Sequence, residues 1–174
     1  MDQGTPRQVQ ELLEKMREER LELLRTLKGV TDEQARVHPN GEWSVKQQVA
    51  HLANAERAWR DWGLALSKKP SLDFGPSVED GQDLHPEKDP VDEYPLTLLI
   101  TRLKAVRAES LKLLREANLQ ESDLMIKGRH RGFGEMNVIQ SLRSLYRHDR
   151  MHADQASGRE PTYQPGRRPA AQGL

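Results

Sequence analysis

Residues 44–69 read SVKQQVAHLANAERAWRDWGLALSKK, and they decide the fold class. Ser44 is followed three residues later by Gln47, a pairing that resembles the capping box with which helices begin. Val45, Val49, Leu52, Glu56 and Trp59 then fall on one stripe at helical spacing, and Pro70 closes the segment. A proline-free run of this length with a single apolar stripe specifies a long amphipathic helix.

The other prolines mark out the remaining helices. They stand at 6, 39, 76, 86, 90, 95, 161, 165 and 169, leaving long proline-free windows on both sides of the segment above. In the first window Val9, Leu12, Leu13, Met16, Leu23, Leu24 and Leu27 recur at helical spacing, interrupted at Arg20. Glu11 and Lys15 are spaced to pair along it, and Gly29 is placed to stop it. A third helix begins near Pro95 and carries Leu96, Leu99, Leu103, Val106, Leu113 and Leu114. A glycine-rich break (Gly128, Gly132, Gly134) precedes a fourth, with Val138, Leu142, Leu145, Tyr146 and the His148 region on one face. Alternating strand patterns are almost absent. The expected fold is all-α, an antiparallel four-helix bundle over residues 1–157.

Two segments fall outside the helices. The connection 70–94 is strongly acidic, with eight carboxylates between Asp73 and Glu93 against Lys88 alone. It reads as a solvated surface loop in preference to a lid or docking surface. Residues 158–174 have the composition of a disordered tail.

Composition bounds the function. Leu, Ile, Val and Phe make up 37 of 174 residues, enough for a folded chain with a thin core. Such a bundle is expected to gain stability as a homodimer. Mean hydropathy of −0.85 and the lack of a long apolar run exclude a membrane span. The first residues lack the apolar stretch of a secretory signal, so the expected compartment is the cytoplasm. The 27 basic and 27 acidic residues balance, which argues against a nucleic-acid partner. With no cysteine, disulfides, thiolate ligands and a protein thiol nucleophile are all excluded. A metal here must be held by His, Asp or Glu.

Of the six histidines, His148 and His152 are one turn apart on the fourth helix and project from the same face. The apolar stripe runs through them, and burying two imidazoles in a bundle core is costly unless they are paired or ligated. His51 lies one position from the stripe of the second helix, with Ala55 and Ala58 leaving room beside it. Three neutral imidazoles from two helices make a facial set of nitrogen donors with open positions. Histidines held by structural hydrogen bonds are the competing reading. Gln48, Asn54 and Gln155 lie a turn from these histidines and can orient ligands or substrate. None of them titrates, so no catalytic acid or base is assigned.

Neighbouring residues carry double readings. Asp149 either orients a ligand imidazole or joins helices through a buried ion pair. Arg143, Arg147 and Arg150 read as a solvated basic face in preference to an anion trap. Trp43, Trp59 and Trp62 read as core or interface anchors. His85 and His130 read as loop histidines, with the closed alternative that His85 or Asp83 supplies a fourth ligand.

The stretch Trp43-Ser44-Val45-Lys46-Gln47-Gln48-Val49-Ala50-His51-Leu52 resembles the first signature of the DinB/YfiT-like metal-binding family. His148-Asp149-Arg150-Met151-His152-Ala153-Asp154-Gln155 resembles its second, and Gly134-Glu135-Met136 fits the lead-in to the fourth helix. Ala50 and Ala156 replace larger aliphatics of the pattern. The resemblance spans roughly residues 7 to 157. It implies a bundle with an unusual connection order and one divalent metal (nickel, zinc or iron) on His51, His148 and His152. It also implies a metal-dependent enzyme acting on a small molecule, foremost a thiol-dependent S-transferase using a low-molecular-weight thiol such as bacillithiol or mycothiol. A hydrolase, or a non-catalytic stress-response or binding protein with a structural metal site, is the alternative.

Overall fold

The computed structural model describes residues 5–38, 42–76 and 90–163. Four long helices dominate: α1 (Arg7–Thr26), α3 (Val45–Lys68), α4 (Leu96–Glu116) and α6 (Val138–Ala156), with the one-turn helices α2 (Asp32–Ala35) and α5 (Glu121–Leu124) between them. Among the described residues no helix is long and apolar enough to cross a membrane.

Helix direction follows from which ends share a core. Leu23 and Leu27, late in α1, pack with Val49 and Leu52 early in α3, Leu96 and Leu99 early in α4, and Ala153 late in α6. At the other end, Val9 and Leu12 pack with Leu66, Leu114, Val138 and Ile139. So α1 and α6 run one way, and α3 and α4 the other. Helix α6 packs against α1 and α3, and α3 packs against α4. Since α3 and α4 are parallel neighbours, the chain must return the length of a helix between them, about 36 Å at ~1.5 Å per residue. The long connection 69–95 is a topological necessity. Its central residues 77–89, which carry most of the acidic run together with Asp83 and His85, lie outside the described residues.

Between the two apolar clusters the helices meet at a layer of charge. Each contributes one buried residue: Arg20 from α1, Glu56 from α3, Arg107 from α4 and Asp149 from α6. Arg20 donates to Asp149 through Nε and Nη2 (both 2.9 Å) and to Glu56 (2.6 Å). Arg107 donates to Glu56 (2.8 Å) and Asp149 (2.8 Å). The guanidiniums also reach the backbone carbonyls of Leu103, Met16 and Leu145. Burial acts to raise the Glu56 pKa, but Arg107 and Arg20 outweigh it and hold the carboxyl below its ordinary value. The interruption of the first apolar stripe at Arg20 is therefore part of the core.

At the end where α3 begins, Lys46 is fully buried. Its ammonium donates to Asp32 (2.8 Å) and to the carbonyls of Asp92 (3.2 Å) and Tyr94 (2.7 Å). Asp32 in turn accepts the Leu96 amide at the start of α4 (2.7 Å). One buried cation thus joins α2, α3 and the entry to α4.

Several local expectations are corrected. A small sheet appears where strand signals were weak: β1 (Asp73–Phe74), β2 (Lys127–His130) and β3 (Gly134–Asn137), in the order β1-β2-β3. Gly134, Glu135 and Met136 belong to β3, and the last helix starts at Val138 behind an Asn137–Gln140 capping box. Glu11 pairs with Arg7 (2.7 Å) and Lys15 with Glu18 (2.7 Å), neighbours equally within a turn. The start of the tail is fastened, because Asp154 accepts from the Thr162 amide and hydroxyl (3.0 and 2.8 Å) and pairs with Arg159 (3.1 Å). Residues 164–174 lie outside the described residues.

Candidate metal centre

The site is built by two helix ends brought side by side. Ser44 Oγ accepts the Gln47 amide (3.2 Å) and Gln47 Oε1 accepts the Ser44 amide (3.1 Å), the reciprocal capping box that starts α3. His51 follows two turns later. Because α6 runs antiparallel to α3, its late residues His148 and His152 lie opposite.

The three rings converge. The Nε2 of His148 lies 3.1 Å from that of His51 and 3.2 Å from that of His152. All three donor atoms fall within 4.8 Å of one another, and among the described residues no other trio of His, Asp or Glu is so arranged. His152 is buried, while His51 and His148 are half-buried. Its other ring nitrogen, Nδ1, meets Gln48 Oε1 at 3.2 Å, and Gln48 Nε2 donates to the Trp43 carbonyl at 3.2 Å. The Trp43 indole stands edge-on to His51, with centroids 4.8 Å apart.

Electrostatics favours neutral rings at His148 and His152. Burial, reinforced by His51 and opposed by Gln155, pushes His152 down to about 3. Burial again leads for His148, helped by His152, His51 and Arg20, and holds it well below the ordinary value. Neutral imidazoles are the form that binds metal.

The donor set fits a divalent ion. Ligands at about 2.0–2.1 Å from one ion stand roughly 3.0–3.4 Å apart, which is the separation of His148 Nε2 from each of the other two Nε2 atoms. Ring nitrogens this close repel unless a proton or a cation lies between them. No carboxylate joins the trio among the described residues, so a bound ion would keep its charge.

Other expectations resolve differently. Asp149 belongs to the ion-pair layer through Arg20 and Arg107. Arg150 pairs with Glu19 (3.5 Å), and Arg147 lies over the rings of Tyr146 and Tyr163. Trp43, read as an anchor, stands against a site histidine. Trp59 and Trp62 surround His130, which is not a surface residue: it is 2% exposed, stacked on Trp59 and flanked by Phe74 and Phe133. Its Nδ1 accepts the Gly132 amide (3.0 Å), and its Nε2 has no partner among the described residues. Burial pushes its pKa down to about 4.

Comparison with known proteins agrees with this architecture. The family model of the DinB superfamily matches residues 4–156. The chain belongs to the DinB superfamily. Among solved structures it is similar to YfiT from Bacillus subtilis, described as "a probable metal-dependent hydrolase with an unusual four-helix bundle topology". That likeness has a TM-score of 0.72 at 16% identity, covering 90% of this chain and 88% of the other. No curated protein matches the sequence. Within this DinB-superfamily bundle the two-up, two-down helix directions and the long parallel crossover describe the topology concretely.

Proposed function

We propose that this DinB-superfamily chain binds one divalent metal through His51, His148 and His152 and uses it as an enzyme on a small molecule, transferring a low-molecular-weight thiol. The observation that carries the reading is the convergence of three histidine Nε2 donors with no carboxylate beside them among the described residues. A divalent ion with neutral ligands supplies Lewis acidity at its open positions and deprotonates a coordinated thiol or lowers the pKa of water.

The protein's own residues narrow the chemistry. The chain has no cysteine, so a sulfur nucleophile must arrive from outside. Beside the trio stand Gln48, Gln155 and Trp43, which hold and orient but do not exchange protons near neutrality. A thiol, ordinarily near pKa 8.5, needs less assistance from a protein base than water does. This favours thiol transfer over hydrolysis. Hydrolysis is the second reading, favoured by the description of YfiT.

The test begins with metal analysis of protein purified without a nickel column. Loaded protein is then assayed for conjugation of a small electrophile with bacillithiol or mycothiol, and for hydrolysis of ester and amide substrates. One equivalent of metal and thiol-dependent conjugation are expected. Hydrolysis without thiol would transfer the reading to the alternative, and a loaded protein inactive in both would leave a binding or structural role.

A further inference from the structure

The two hydrogen bonds of Gln48 determine more than its own position. The Trp43 carbonyl can only accept, so the Gln48 atom 3.2 Å away must be its amide nitrogen. The side-chain oxygen is thereby turned to His152 Nδ1, 3.2 Å away. An amide oxygen can only accept, so Nδ1 must carry the imidazole proton. A neutral imidazole has one such proton, which leaves Nε2 as a bare lone pair. That is the atom 3.2 Å from His148 Nε2, at the centre of the trio.

We propose that Gln48 is a positioning residue that holds His152 as its Nδ1–H tautomer, with the Trp43 carbonyl setting the direction of the amide, so that Nε2 is ready for a metal before any metal arrives. The inference rests on the metal-centre reading above. The reverse amide orientation would set two carbonyl oxygens against each other at Trp43 and aim an NH2 at the ring. The capping box at Ser44 fixes where the chain enters α3, and with it where Trp43 presents its carbonyl. Trp43 also stands edge-on to His51, so the segment 43–48 supports ligands on both helices. A glutamate at 48 would accept from the ring equally well, but it would face the Trp43 carbonyl with a carboxylate oxygen. The neutral amide satisfies both sides.

The experiment uses the full chain with 15N-labelled histidine and reads the ring nitrogens of metal-free protein by NMR. It also measures zinc(II) affinity by competition with a chromophoric chelator. The wild type is expected to show His152 as the Nδ1–H form. Gln48→Leu is expected to mix or reverse the tautomer and to lose roughly 10–100-fold in zinc affinity, while its helical circular dichroism is retained. Gln48→Glu keeps an acceptor and should keep both the tautomer and an affinity within a few-fold of wild type. An Nε2–H form in the wild type overturns the proposal, as does Gln48→Leu binding zinc like the wild type. Should Gln48→Leu fail to fold, the tautomers of wild type and Gln48→Glu still decide it. If the wild type binds no zinc, the metal reading fails, while the metal-free tautomer still tests the role of Gln48.

Discussion

His51, His148 and His152 act as a set, so their removal is best read as a set. Zinc at about a hundred times its dissociation constant should stabilise the wild type by ~2.7 kcal/mol. For a chain of this size that is a rise in Tm of roughly 5–10 °C. The triple change to Gln should abolish the rise; an equal rise in that variant would place the binding elsewhere. Gly75 offers a second test at single-residue scale. Its φ is +75°, and a Cβ there would lie 2.2 Å from His130 Nε2. The imidazole cannot step aside, because four aromatic rings surround it. Gly75→Ala should lose about 2–4 kcal/mol from overpacking and backbone strain. Gly134→Ala, at φ +82° with nothing among the described residues within 4 Å, should lose only the strain, about 1 kcal/mol. Urea denaturation separates the two.

Where the helices cross, the layer of Arg20, Glu56, Arg107 and Asp149 balances two charges against two in a space sealed from water. Such a layer is costly to break and not necessarily favourable to keep. Arg107→Met strips partners from both buried carboxylates and should destabilise by about 3–5 kcal/mol in denaturant titration. Replacing all four residues by apolar ones of similar volume should recover most of that loss. If Arg107→Met changes stability by less than about 1 kcal/mol, the layer is solvated and the packing described for it is wrong. The cap of α3 is a smaller contribution: Ser44→Ala should cost about 1 kcal/mol.

Across the whole molecule, stability should depend on acid through His130 as well as through His148 and His152. The pKa of His130 is near 4 in the folded chain and near 6.5 unfolded. Between those values the unfolded chain holds more protons, so its stabilising effect is complete above about pH 6.5 and is lost as pH falls towards 4. The loss amounts to roughly 3 kcal/mol. His130→Phe should flatten this part of the pH–stability curve in metal-free protein. An unchanged slope would mean that His130 is hydrated when folded. The effect is global because the ring ties β1 and β2 to Trp59 and Trp62 on α3.

Much of the architecture was local enough to read along the chain. Proline positions and apolar stripes marked the four long helices, because helix formation depends on neighbours three and four residues away. Ser44 with Gln47 announced a cap that the structure makes in full, and the i,i+4 spacing of His148 and His152 placed both rings on one face. Partnership across the fold was not local. Nothing in KGRH or GEMN marks a strand, and residues 127–137 pair as they do because Leu72 and Phe74 bring a third strand beside them. Arg20 looked like a break in a stripe until Glu56 and Asp149 met it from other helices. Its signal was present but distributed: one charge on the apolar stripe of each helix, two of either sign. His51, between Ala50 and Leu52, and His130, between Arg129 and Arg131, are the same residue type with different fates. Helix direction brought one to His148 and His152, while a hairpin sealed the other among aromatic rings. Side-chain chemistry and periodicity are written residue by residue, whereas burial and convergence arise only when distant segments pack together.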